Sequence, residues 1–190
     1  QLRRELGIDA DETVVLFVGH FLERKGVREM IDVVPQIEDP DAVFVFVGHG
    51  GDLADDLREA LAAAGRSTRF VFDGLPPVAL RRWFALADLL WLPSHTEGRP
   101  TVVYEAMASK TAVLASSVGG IPEQVVDGET GVLIPPRDAD ALERALQSLL
   151  ADRERTRSMG RKGLERLREQ GWTWEAHAER VRRHHLAAIE

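Results

Sequence analysis

The stretch from Leu89 to Met107 reads L-L-W-L-P-S-H-T-E-G-R-P-T-V-V-Y-E-A-M. Its first four residues are an apolar run of strand length, its centre is a polar loop, and its end has helical character from Pro100 onward. Proline is tolerated in a first helical turn because that turn's N–H groups have no intrahelical acceptor. A strand, a loop and a helix start follow one another. The amides after Pro100, those of Thr101 and Val102, are free at such a start, and the positive end of the helix dipole suits a phosphate lying against the loop at Gly98. Glu105 lies about one turn into the helix, where an ionised carboxylate accepts hydrogen bonds from the vicinal hydroxyls of a ribose or a hexose. Glu97 stands eight positions earlier, in the loop.

Outward from this unit the chain repeats it. Apolar, β-rich runs at Thr13 to Gly19, Ala42 to Val47, Phe70 to Phe72, Ala112 to Ala115 and Gly131 to Ile134 read as strands. Between them, helical periodicity covers Val27 to Ile37, Leu53 to Ala64 and Val78 to Ala87. Strands separated by helices of this length need crossover connections, which predicts an α/β fold: a Rossmann-like parallel sheet of about six strands with helices on both faces. After Pro135 and Pro136 the chain turns helical and charged. Asp138 caps a helix with Leu142, Leu146 and Leu149 inside, and Arg153 to Gln170 and Thr173 to Ile189 follow.

At 190 residues the chain fits one domain with a substantial core. A net charge of -7 argues against a nucleic-acid binder, which carries a basic patch. The absence of cysteine excludes disulfides and thiolate metal sites. No apolar run has the length of a membrane span and the N-terminus does not read as a leader, so a cytoplasmic location is expected.

The run E-G-R-P-T-V-V-Y-E-A-M-A, followed by V-G-G-I-P-E-Q-V-V-D at Val118 to Asp127 and by G-V-L-I-P-P, resembles the donor-binding half of the retaining glycosyltransferases of family 4, which have the two-domain GT-B fold. The likeness runs from about Thr13 to the C-terminus. It implies transfer of a sugar from a nucleotide-diphosphate sugar to an acceptor, without an obligatory metal or other cofactor. Glu97 takes the role of contacting the transferred sugar and Glu105 that of holding the nucleotide ribose. An E-x7-E spacing alone also describes two solvated helix-end glutamates. The resemblance further implies that residues 1–12 are a remnant of an interdomain linker, that residues 173–190 form a helix crossing to the other domain, and that the acceptor domain or subunit lies outside this chain. Any membrane association would then come through that missing part. Two other functions stay open: a nucleotide-sugar epimerase on the same scaffold, and a non-catalytic nucleotide-sugar-binding subunit.

In the same family the loop after the first strand carries an Arg and a Lys that clamp the donor diphosphate. Here that loop is G-H-F-L-E-R-K-G, Gly19 to Gly26. Lys25 matches the lysine; His20 stands where the arginine would be, and a neutral imidazole donates one hydrogen bond in place of a charged fork. Arg24, in the same loop, is a second candidate cation. The backbone at Gly74 and Leu75 is expected at the nucleobase, and the glycine loop of Gly48 and Gly50 is expected to turn close to the donor.

Three features invite other readings. G-H-G-G-D-L from Gly48, with Asp73 further on, imitates a dinucleotide fingerprint, but Leu53 fills its third glycine position. D-A-D at Asp138 to Asp140 resembles a metal-binding motif and reads as a helix cap. His177, His184 and His185 lack the spacing of a metal site, and no metal is expected. His95, two residues before Glu97, is read as structural. Trp172 and Trp174 flank Thr173, as anchors of the final helix on this domain or of its crossing to another.

Overall fold

The computed structural model describes residues 2–65, 68–72 and 75–187. Six parallel strands, β1 (Thr13–Val18), β2 (Ala42–Gly48), β3 (Thr68–Phe72), β4 (Leu89–Leu92), β5 (Ala112–Ser116) and β6 (Gly131–Ile134), form one sheet in the order β3-β2-β1-β4-β5-β6. The helices are α1 (Leu2–Leu6), α2 (Val27–Val33), α3 (Ala54–Ala63), α4 (Pro77–Leu86), α5 (Thr101–Ala108), α6 (Ile121–Gln124), α7 (Ala139–Ala151), α8 (Arg153–Glu169) and α9 (Trp174–Ala187). The expected fold class is the one observed.

The strands read as unbroken apolar runs because both sheet faces are covered, and successive side chains leave a strand on opposite sides. Val15, Phe17, Phe44, Phe46, Leu89 and Trp91 join Met30 of α2, Leu57 of α3 and Leu142 and Leu146 of α7 in one core layer. Their neighbours Val14, Leu16, Val43, Val45, Leu90 and Leu92 join Phe84 of α4 and Val103 and Met107 of α5 in the other. The α8 helix serves both, with Met159 in the first layer and Leu167 in the second.

Two local features differ from the sequence expectation. The helix expected over Val27 to Ile37 ends at Val33 and passes into a 3₁₀ turn, Val34–Gln36. Pro35 has no N–H to continue the α-helical ladder. Ile37 is buried all the same. The first twelve residues, read as linker, include α1. Leu6 and Ile8 pack on the second core layer, and Arg3 reaches Asp88 at 2.6 Å, whose carboxylate also accepts from the Val14 amide at 2.9 Å.

The strand order positions the site. From β1 the chain moves outward through β2 to β3, then returns to β4 on the other side of β1. The connection after β1 runs to α2 on one face, and that after β4 runs to α5 on the other. Such a reversal opens a crevice at the C-terminal ends of the two central strands.

Candidate active site

The loop after β1 makes a 3₁₀ turn, Glu23–Lys25, and ends at Gly26 with φ 75°. A Cβ at Gly26 would fall far inside contact distance of the Pro93 carbonyl oxygen, so only glycine lets this loop lie against the end of β4. That approach brings the Lys25 ammonium to 2.6 Å from Glu97 Oε1. The same oxygen accepts from the Ser94 hydroxyl at 2.7 Å. Lys25 and Glu97 are largely buried, with side chains 16% and 9% exposed. The pair is thereby shielded from bulk screening.

On the far side of the loop, α5 starts at Thr101 after Pro100, with no side chain capping its N-terminus. Gly98 lies at the surface of the turn, and its carbonyl accepts from the Gly120 amide at 2.6 Å. Thr101 is exposed and Val102 half-buried at the helix mouth. Glu105 lies at the surface of α5, yet the protein on its inner side strips water from the carboxyl and raises its pKa above the usual value. Among the described residues no donor or cation reaches that carboxylate. Beside the helix, Trp172 packs edge-on against Tyr104 at 5.4 Å and lies 5.3 Å from the guanidinium groups of both Arg99 and Arg166. Guanidinium groups at such a distance are attracted by the indole face. Trp172 thus anchors the start of α9 on this domain.

His20 and His49 face each other, Nε2 to Nε2 at 3.2 Å, with rings edge to face. His49 is a residue the sequence reading missed, although a signal existed. F-V-G-H occurs twice, at Phe17 to His20 and Phe46 to His49, and β1 pairs with β2 with Phe17 opposite Phe46 and Val18 opposite Val47. The two imidazoles therefore leave adjacent strands at equal heights. Gly48 makes room for this, since a Cβ there would collide with the Gly19 carbonyl oxygen. The Gly50 carbonyl accepts from the Phe21 amide at 3.0 Å, tying the two loops together.

Arg24 does not join the Lys25–Glu97 pair. It is exposed and lines a separate cleft with Glu23, His95, Thr96 and Arg137. His95 lies at the back of that cleft, with Nε2 2.7 Å from Glu29 Oε1 and Nδ1 3.3 Å from Arg137 Nε. Glu29 and Arg137 as its partners were not foreseen. Leu75 is half-buried against the second core layer; Gly74 and Asp73 lie outside the described residues. Asp138 caps α7, accepting from the Ala141 amide at 2.8 Å. Among the described residues no three His, Asp or Glu side chains are grouped to hold a metal ion, and no helix is long and apolar enough to cross a membrane.

The alpha-maltose-1-phosphate synthase of Mycolicibacterium smegmatis is 36% identical over 189 residues, covering 93% of this chain and 48% of the relative. The D-inositol 3-phosphate glycosyltransferase of Segniliparus rotundus is 33% identical over 195 residues, covering 98% and 42%. Among solved structures, the sucrose-phosphate synthase of Thermosynechococcus elongatus matches with a TM-score of 0.81 at 33% identity, over 98% of this chain and 48% of that one. The C-terminal domain of a glycosyl transferase group 1 family protein (LpcC) of Francisella tularensis matches with a TM-score of 0.74 at 26% identity, over 83% of this chain and 85% of that one. The chain spans about half the length of the curated relatives it matches. The family model for glycosyl transferases group 1 matches residues 1–166, and with these relatives it shows that the chain belongs to that family, as a domain of GT-B fold.

Proposed function

We propose that this chain is the donor-binding domain of a retaining glycosyltransferase of family 4 that moves a sugar from a nucleotide-diphosphate sugar to an acceptor hydroxyl. The observation that carries this function is the Lys25–Glu97 pair, held across the switch-point crevice beside the uncapped start of α5. A bound donor exchanges that internal pairing for two of its own, its diphosphate taking Lys25 and a sugar hydroxyl taking Glu97. The amides of Thr101 and Val102 and the dipole of α5 face the same phosphates. As the bond from the sugar to the diphosphate breaks, negative charge grows on the leaving phosphate oxygen, where Lys25 and the helix start stabilise it. The acceptor oxygen forms the new bond to the sugar, and its proton leaves with the nucleoside diphosphate. The His20–His49 pair supplies the second phosphate contact that a lone imidazole in place of arginine would weaken. Glu105, whose carboxylate has no partner among the described residues, holds the ribose hydroxyls. No metal is needed in this scheme. The names of the relatives carry alpha-maltose 1-phosphate, D-inositol 3-phosphate and sucrose phosphate, and we extend the proposal to an acceptor that bears a phosphate.

A thermal-shift panel of UDP, GDP and ADP with their sugars tests donor binding, since a ligand of the native state raises the apparent Tm. One nucleotide series is expected to stabilise the domain. Glu105→Gln should weaken that nucleotide by about 1 to 3 kcal/mol, the scale of hydrogen bonds to a charged group, without unfolding the chain. Calorimetry returning unchanged affinity for Glu105→Gln removes Glu105 from the site.

A further inference from the structure

The run V-G-G-I-P-E-Q-V-V-D, Val118 to Asp127, contains α6 and packs on the turn that starts α5. One of its polar residues is fully buried. Gln124, the last residue of α6, has 0% of its surface exposed. Its Nε2 donates to the Pro100 carbonyl at 3.1 Å, while among the described residues its Oε1 is buried without a hydrogen-bond partner. An unpartnered buried acceptor destabilises a fold, and an apolar side chain of the same length would avoid that loss. The Pro100 carbonyl has a second donor in any case, since it also accepts from the Val103 amide at 3.3 Å. Packing and hydrogen-bond satisfaction would therefore favour an apolar residue at this position. What the glutamine adds is a fixed link to the residue that precedes α5.

That link acts where the helix has no cap of its own. Pro100 stands at the N-cap position and offers no side-chain hydrogen bond to the first turn. The direction of the Thr101 and Val102 amides is then set by contacts from outside the helix. Two such contacts are present: Gln124 at Pro100, and the Gly120 amide, which donates to the Gly98 carbonyl at 2.6 Å. Gly119, with φ 55°, lies so close to the Glu97 carbonyl oxygen that a Cβ would collide with it. The α6 segment is itself tied down, since Arg166 of α8 donates to the carbonyls of Glu123 at 2.9 Å and Gln124 at 3.0 Å. Gln124 thus carries the position of α8 into the turn between Glu97 and Thr101.

We propose that Gln124 is a positioning residue for the donor site, holding the start of α5 so that its free amides meet the diphosphate. This rests on the donor-binding function proposed above. The test compares the wild-type chain with Gln124→Met, which keeps the length and bulk of the side chain but removes both polar atoms, and with Arg3→Ala, which breaks the Arg3–Asp88 pair at the opposite end of the strands. Each protein is titrated calorimetrically with UDP, GDP and ADP, and its Tm is measured without nucleotide. Gln124→Met is expected to keep or raise the Tm, because the unpartnered oxygen is gone, while its affinity for the diphosphate that the wild type binds falls at least about fivefold. Arg3→Ala should lower the Tm and leave that affinity unchanged. A purely structural glutamine does not produce this split. In the ligand-free chain, the amide NMR signals of Thr101 and Val102 should move in Gln124→Met and stay in place in Arg3→Ala. Wild-type affinity or unmoved Thr101 and Val102 signals in Gln124→Met overturn the proposal, and so does an affinity loss that comes with a lowered Tm and recurs in Arg3→Ala. A wild-type chain that binds none of the three diphosphates removes the donor reading and this proposal together; binding that Gln124→Met leaves intact removes this proposal alone.

Discussion

Glu97 and Glu105 share a motif but not an environment. Glu97 is ion-paired with Lys25 and accepts from Ser94, whereas Glu105 has no partner among the described residues and its carboxyl is held above its usual pKa by desolvation. A raised carboxyl pKa means that the folded chain binds the proton more tightly than the unfolded one. Glu105 therefore lowers stability at neutral pH, and the loss is relieved as pH falls through the folded pKa toward the unfolded value. Glu105→Gln should raise the Tm of the ligand-free chain at pH 7 while weakening nucleotide binding; scanning calorimetry of both proteins from about pH 7 down to about pH 4.5 checks the sign. For the second donor of the diphosphate clamp, His20→Arg should strengthen binding of an intact nucleotide sugar, because guanidinium presents a charged fork of donors where a neutral imidazole donates one hydrogen bond. Equal affinity in both proteins would take His20 off the diphosphate. The sequence disclosed the two glutamates in one local pattern and Lys25 in another, the loop after β1. His49, Ser94, Glu29 and Arg137 acquire their roles only from neighbours on other segments.

At the scale of elements, the site is a set of loops at the C-terminal ends of the strands, brought together by close backbone approaches. The loop after β1 can reach β4 only through Gly26, where φ is positive and the Pro93 carbonyl fills the space a side chain would need. Gly26→Ala should destabilise the chain by about 1 to 3 kcal/mol, the cost of a strained backbone position, and push Lys25 away from Glu97. The expected readout is a lower urea midpoint with an unchanged slope, together with weaker nucleotide binding in whatever fraction stays folded. A variant with wild-type midpoint and affinity would mean the loop has another way to sit. Element types were legible from apolar runs and helical spacing, while the break of α2 at Val34–Gln36 was written in Pro35 and passed over because the apolar spacing continues to Ile37.

For the whole molecule, the two core layers cover both faces of the sheet, and the proposed donor site lies at the C-terminal ends of its strands. The Arg3–Asp88 pair and the packing of Leu6 and Ile8 hold the first residues on this domain, at the opposite end of the strands from the site. The chain spans about half of its relatives' length, and under the proposed function the other wall of the cleft lies on a second domain. The purified chain should therefore bind its nucleotide but give negligible transfer of labelled sugar to an added phosphorylated acceptor. Robust transfer by this chain alone would overturn the half-site reading.

By itself the sequence determined the class of sheet, because buried parallel strands need unbroken apolar runs and crossover helices leave a 3.6-residue period. It also determined the strand, loop and helix start from Leu89 to Met107, since Glu97, Gly98, Pro100 and Glu105 are close along the chain and their geometry follows from one loop and one helix start. The tertiary structure decided which loops meet. Strand order and register set His20 against His49, a glycine-sized gap set Lys25 against Glu97, and the packing of α2 and α7 on one face set Glu29, His95 and Arg137 in line. Such contacts depend on backbone approaches between residues tens of positions apart, which no local pattern of residue types records.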